Sequence, residues 1–444
     1  MRDYIVLAIV FLSVPAALFN PYYGVLVWSW LAYFNPHRYT WGIAREFPVA
    51  ILIAIPTLVG ALFAPKNRRI FTRETLLLCL LWLWFVFTTL YAKTVPAFTG
   101  HLNEANGHLE EVSKILLMTF ATILLVVSKE KLRLLLLVIV GSFGLRAAIA
   151  AVFFIGTGGQ FKIWGPEGTF LADNNDFALA LNMTIPIFFF LARSESRPWL
   201  RFAIRTLMVC VIISVIGTYS RGGLLGLSIV ILGLLAKSNR KGLSLLLVGV
   251  GMLCLLTFAT VQWKARMDTF LHGDLDESAE SRITVWKAGW NLVQDYPFTG
   301  GGFDVYTDPA VIVRYLPEDT PDSNLHGPHS IYFQMLGEQG FVGLGLFLSL
   351  LAASGLRLRK LRRLSTQHPD LSWIAPYANM FAITLLAYMI NGATLGRAYF
   401  DFFYEVIACI VILDILVRRQ CREMADAADQ PFEETTEELL PVAI

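Results

Sequence analysis

Charge is in short supply in this sequence. Only 16% of its 444 residues are Asp, Glu, Lys or Arg, and 56% are hydrophobic; a soluble domain carries about a quarter charged residues. Cysteine is scarce too. Cys79, Cys210, Cys254 and Cys409 lie inside apolar runs and Cys421 lies in the tail. No long polar loop holds a cysteine, which excludes a disulfide framework. The net charge of +2 comes from basic residues scattered in short clusters, so there is no basic face for nucleic acid. No internal repeat is visible. What the chain has instead is apolar runs on the order of 17–25 residues, recurring along its whole length. It reads as an all-α integral membrane protein. Its start, MRDYIVLAIVFLSVPAALF, reads as a first membrane anchor rather than a cleaved leader.

The runs fall at 4–34 (broken), 47–63, 75–92, 112–127, 133–155, 174–192, 203–219, 222–236, 243–259, 331–355, 374–392 and 399–417. Between alternate runs lie basic clusters: APKNRRIFTR (64–73), SKEKLR (128–133), RSESRPWLR (193–201), KSNRKG (237–242) and RLRKLRR (357–363), with RRQCR (418–422) after the last. The positive-inside rule puts these on the cytoplasmic side. That is self-consistent if 4–34 makes one broken, tilted crossing, interrupted at Pro15 and Pro21. The expectation is about twelve transmembrane helices, both termini cytoplasmic, with thirteen as the runner-up. The organisation expected is 1–259 membrane helices, 260–330 a periplasmic loop, 331–422 further membrane helices and 423–444 an acidic cytoplasmic tail. NPHRYTWGIAREF (35–47), HLNEANGHLEE (101–111), GPEGTFLADNND (165–176), Ser220–Arg221, the long loop and GATLGR (392–397) then share the periplasmic face.

A connection of about 70 residues is functional or disordered, and composition argues for order. In ESRITVWKAGWNLVQDYPFTGGGF, Ile283, Trp286, Trp290 and Val293 share one helical face, while Arg282, Lys287 and Gln294 lie off it. Such a helix lies on the membrane interface or packs on the bundle. Gly300–Gly302 form either a tight turn or a phosphate-cradling one. The loop ends in LHGPHSIYFQMLGEQG. His326 and His329 flank a Gly-Pro that no helix continues through, so they need not share a face. They lack an obvious third partner for zinc; a structural histidine or a general base titrating near neutral pH remains.

Charged side chains at bilayer depth are functional candidates. Arg146 sits past the middle of its crossing, Arg221 at a turn beside Gly222–Gly223, and Glu338 about two helical turns below His329. Arg397 has local acids in Asp401 and Glu405, and a structural ion pair is expected there. Arg221 has none nearby in sequence, and its planar fork matches phosphate oxygens. Guanidinium groups and one histidine at a membrane face suit an anionic, membrane-embedded donor meeting a hydroxyl nucleophile. Arginines hold the diphosphate and stabilise its charge as it leaves; histidine deprotonates the alcohol.

Four stretches carry a family resemblance: TFLADNNDFALALNMTIP (169–186), TYSRGGLLGL (218–227), SRITVWKAGWNLVQDYPFTGGGFDVY (281–306) and HSIYFQMLGEQGFVG (329–343). Together they resemble the bacterial O-antigen ligase and polymerase superfamily, multi-spanning glycosyltransferases of the GT-C type. In the last stretch His329, Glu338 and Gly340 match the family pattern, with Ser330 where Asn is usual and Phe333 where Leu is. NPHRYTWGIA further resembles a subfamily of O-glycosylation ligases associated with exosortase systems. The resemblance implies inverting transfer of a glycan from undecaprenyl diphosphate, without metal or other cofactor, to lipid A–core in the ligase branch. It implies an inner-membrane enzyme acting at the periplasmic face. By motif position Arg221, Arg282 and His329 take the functional roles; Arg146, His326 and Asn175 are added on physical grounds, with Glu338 supporting. An O-antigen polymerase or a ligase with a protein acceptor has nearly the same parts. A transporter is the rival of a different class, and its usual mark, inverted repeats with polar groups near the midplane, is not what the sequence displays.

Overall fold

A computed structural model of the chain describes residues 1–64, 70–237, 277–317 and 327–428, together with Gly242 and Gly249. The expected crossing 243–259, His326 and most of the acidic tail lie outside the described residues. The long helices are α1 (Arg2–Phe19), α2 (Pro21–Phe34), α3 (Val49–Phe63), α4 (Arg73–Ala92), α5 (Leu102–Leu125), α6 (Lys129–Gly156), α7 (Asn174–Ser194), α8 (Pro198–Gly217), α9 (Arg221–Ala236), α10 (Glu277–Asp295), α11 (Ile331–Gln367), α12 (Ile374–Gly392) and α13 (Asp401–Ala428). No strand occurs among the described residues. By length and composition α1, α4, α6, α7, α8, α11 and α12 are each able to cross a membrane, and α3 and α9 are apolar but shorter.

Sequence sets the helix starts. Thr72 and Thr75 exchange side-chain and backbone hydrogen bonds in a capping box at α4. Asp173 and Ser220 accept from Asn175 N and Gly223 N at the starts of α7 and α9. Such caps occupy amide donors that the first helical turn leaves without partners. α7 and the first two-thirds of α13 are largely apolar and buried on nearly every side, with the polar Asp176, Asn182, Glu405 and Asp414 buried among them.

The first run does not make a single crossing. Pro21 starts a new helix after Asn20, whose backbone is non-helical, and α2 folds back along α1. Gly24 allows this: a Cβ there would overlap Thr57 Oγ1 and press on Ala17. At the other end, Asp3 Oδ1 accepts from Gly42 N and Ala44 N at 3.0 and 3.2 Å. The N-terminus therefore lies at the same end as segment 35–47, opposite to the side expected from one crossing. α13 begins at that end and runs away from it, towards the end of the bundle where Asp414 meets Arg357.

Two further expectations need correction. HLNEANGHLEE is not a loop; it forms the first turns of α5. RLRKLRR likewise continues α11, because Arg357 is not a solvated charge. Its guanidinium forks onto Glu74 (3.1 Å to each carboxylate oxygen) and reaches Asp414 Oδ1 at 3.1 Å, with all three side chains nearly buried. This network marks the basic end of the bundle. Segments 35–48, 165–173, 277–317, 327–330 and 393–400 gather at the opposite end.

Candidate active site

The site is organised by a break in α11. Gly340 has φ 66° and ψ −172°, a conformation essentially reserved for glycine. A broken helix frees carbonyl groups that have no water to turn to inside a bilayer. Here they are all occupied: Gly301 N donates to Gly337 O (2.8 Å), Gly302 N to Glu338 O (2.9 Å) and the Trp84 indole to Gln339 O (2.9 Å). Phe341 N returns a bond to Pro297 O at 2.8 Å. A Cβ on Gly300 would overlap Gly337 O, and one on Gly340 would overlap Phe298 O. The triple glycine is thus a backbone clamp on the broken helix rather than an anion cradle. Tyr306 threads between Gly289 and Gly337 and donates to Phe333 O at 2.5 Å.

α10 packs on the bundle. Its buried face is Val285, Ala288 and Leu292, with Val293 beside it. The face expected from spacing is rotated, since Ile283 and Trp290 stay 39% and 50% exposed. Trp286 stacks on Phe333, rings 4.8 Å apart, and its indole donates to Pro328 O at 2.5 Å. That bond pins the peptide preceding His329, which has a left-handed φ of 41°. α11 then starts after Ser330, whose carbonyl accepts from Gln334 N at 2.8 Å.

His329 and Glu338 share a cavity of about 220 Å³, also lined by His108, Asp304, Arg397 and Tyr399. Glu338 is 3% exposed; it accepts from Tyr399 Oη at 2.7 Å and from the Gln334 amide at 3.4 Å. Gln334 in turn accepts from Ala398 N at 3.0 Å. Glu338 thereby joins α11 to the turn before α13. His108 Nδ1 meets Asp304 Oδ2 at 2.5 Å. The hydrogen bond to Asp304 raises the His108 pKa above its ordinary value, against the opposing effect of burial. Asp304 is itself left-handed, φ 63°.

The other expected residues lie around this cavity rather than in its lining. Arg221 opens α9, where Gly222 packs on Thr394, two residues before the Gly396 that lies against His329. Arg282 is one helical turn before Trp286, the residue holding Pro328. Arg146 stacks over the Tyr39 ring at 4.8 Å, on the side of segment 35–48. The Asn175 amide donates to Asp173 Oδ1 at 2.9 Å, a local cap. Arg397 does not pair with Asp401 or Glu405; it binds Asp176, and Asp401 accepts from Phe402 N. Sequence reading missed His108, Asp304, Gln334 and Tyr399. None of the four carried a local signal in the sequence; the left-handed backbone of Asp304 shows only in the fold. Among the described residues no three His, Cys, Asp or Glu side chains converge as metal ligands.

Residues 206–348 match the family model described as O-antigen ligase. Residues 1–196 match a model described as a family of unknown function, DUF5935. No curated protein matches the chain. The first match contains Arg221, Arg282, His329 and Glu338; Arg146 and Asn175 lie in the second.

Proposed function

We propose that this chain, whose residues 206–348 match the O-antigen ligase family model, transfers a glycan from undecaprenyl diphosphate to a lipid A–core hydroxyl at the periplasmic face of the inner membrane. The observation that carries the reading is the cavity at one end of an apolar helical bundle, with His329 presented at the broken helix and Arg221 and Arg282 on the elements beside it. His329 accepts the proton of the acceptor hydroxyl. The oxygen then attacks the anomeric carbon on the face opposite the diphosphate, the new C–O bond forms, and the bond from that carbon to the phosphate oxygen breaks. The electron pair leaves with the undecaprenyl diphosphate, and Arg221 and Arg282 stabilise that charge. Glu338, held by Tyr399 and Gln334, braces the wall of the cavity.

The test is reconstitution in detergent with lipid-linked glycan and purified lipid A–core. Glycan on the lipid acceptor, formed with no sealed compartment and unaffected by a chelator, is the expected result. Absence of product there, with movement of lipid-linked glycan in sealed vesicles, contradicts the reading in favour of a transporter. Product only on added protein, or lengthened donor glycan alone, moves the assignment to a protein-directed ligase or a polymerase.

A further inference from the structure

A cleft larger than the cavity of His329 belongs to neither the long loop nor the helix break. It measures about 1050 Å³, lies between segment 35–48, α3 and α5, and shares His108, Phe170 and Arg397 with the cavity of His329. Its two ends differ in chemistry. One wall is Ile51, Ile55 and Leu58 of α3 facing Leu117 of α5, and Ile51, Ile55 and Leu117 remain 40%, 57% and 38% exposed. Exposed aliphatic side chains on helices at bilayer depth face lipid, so this part is a trough open to the side, about 10 Å long along α3.

The other end is polar. Three of its cations are already engaged: Arg45 with Glu167, Lys114 with Glu110 and Arg397 with Asp176. Arg38 is not. It has no carboxylate partner among the described residues, and its buried Nε finds no acceptor among them. Its guanidinium lies flat on Gly168, where a Cβ would sit 3.0 Å from Nη1 and where φ is +70°. Beside it, burial and the Arg38 charge push the His37 pKa down to about 4, so this imidazole is neutral at pH 7. A fixed planar cation at the mouth of an apolar trough is complementary to a lipid chain carrying a phosphate-type headgroup. A neutral lipid leaves the guanidinium unmatched, and a soluble anion leaves the trough unmatched.

We infer that segment 35–48, in the region matched only by a family of unknown function, builds the headgroup end of a lateral lipid cleft, and that Arg38 binds the diphosphate of the polyprenyl donor while its chain lies between α3 and α5. The identity of the lipid rests on the function proposed above; the amphiphile chemistry does not. The same chemistry is found in the phosphorylated lipid A of the acceptor, so the experiment has both as arms. Binding of undecaprenyl diphosphate, undecaprenol and lipid A to the detergent-solubilised full chain is measured for wild type, Arg38→Ala and Ile55→Trp, with Arg221→Ala alongside. Losing a charge-assisted hydrogen bond weakens undecaprenyl diphosphate by about 10- to 100-fold in Arg38→Ala, with undecaprenol and lipid A unchanged. Ile55→Trp, which fills the trough, weakens both polyprenyl lipids and serves as a second variant should Arg38→Ala fold poorly. Unchanged diphosphate affinity in Arg38→Ala and Ile55→Trp, with loss in Arg221→Ala, overturns this inference and leaves the proposed function standing. Weakened lipid A binding alone gives the cleft to the acceptor and overturns the donor assignment. Full affinity for undecaprenyl diphosphate in all three variants removes both.

Discussion

Substituting Gly340→Ala should open the catalytic loop without touching any group proposed to meet substrate. The methyl group faces two penalties. At φ 66°, ψ −172° an L-residue is strained by about 1–3 kcal/mol. The new Cβ also overlaps Phe298 O, a backbone atom that cannot rotate away, and forcing such a fit costs about 1–3 kcal/mol more. The chain escapes both only by releasing the clamp, giving up the bonds Gly301 N to Gly337 O, Gly302 N to Glu338 O and Phe341 N to Pro297 O, about 1 kcal/mol each. Either way the closed arrangement loses roughly 2–6 kcal/mol relative to the open one, or about 30-fold to 10⁴-fold in the opening equilibrium. Amide hydrogen exchange on the purified protein reads this directly: protection at Gly301, Gly302 and Phe341 should fall by that factor, while α7 keeps its protection. Glycan transfer should fall in parallel, because the clamp positions both the His329 loop and Glu338. Wild-type protection in those three amides would refute the reasoning.

Arg357→Met leaves Glu74 buried without its cation and Asp414 with only the half-exposed Arg418, and should destabilise the protein by about 3–5 kcal/mol, read as a lowered thermal midpoint; replacing Arg357 and Glu74 together by apolar residues should recover most of it. The His108–Asp304 pair should make the loop pH-sensitive. A histidine pKa raised on folding contributes stability in full below the unfolded value of about 6.5 and loses it as pH rises through the folded value. Proteolysis of segment 296–308 should therefore accelerate with pH above neutrality in wild type and show a flat profile in His108→Gln.

Much of the architecture was legible because hydropathy and caps are local. The runs at 174–192, 222–236 and 374–392 match α7, α9 and α12 to within a residue or two. The failures are where a distant partner decides. Asn20–Pro21 looks the same in a kinked crossing and in a hairpin; what selects the hairpin is Gly24 against Thr57 and Asp3 against residues 42–44. Arg357 reads as one more cytoplasmic charge until Glu74 and Asp414 are seen beside it. Arg397 had acids four and eight residues away and took one 221 residues upstream. At the site, the Gly-Pro before His329 and the lone carboxylate at 338 were visible signals. His108 and Asp304, 196 residues apart, carried no mark of belonging together.

The central claim is that His329 takes the acceptor's proton. Single-turnover transfer by His329→Ala, measured together with undecaprenyl diphosphate binding, tests it most directly. Loss of a general base lowers the rate by about 10²–10⁴-fold, and donor affinity should stay at the wild-type value. A transfer rate near wild type, or a variant that is slow only because the donor no longer binds, would contradict it.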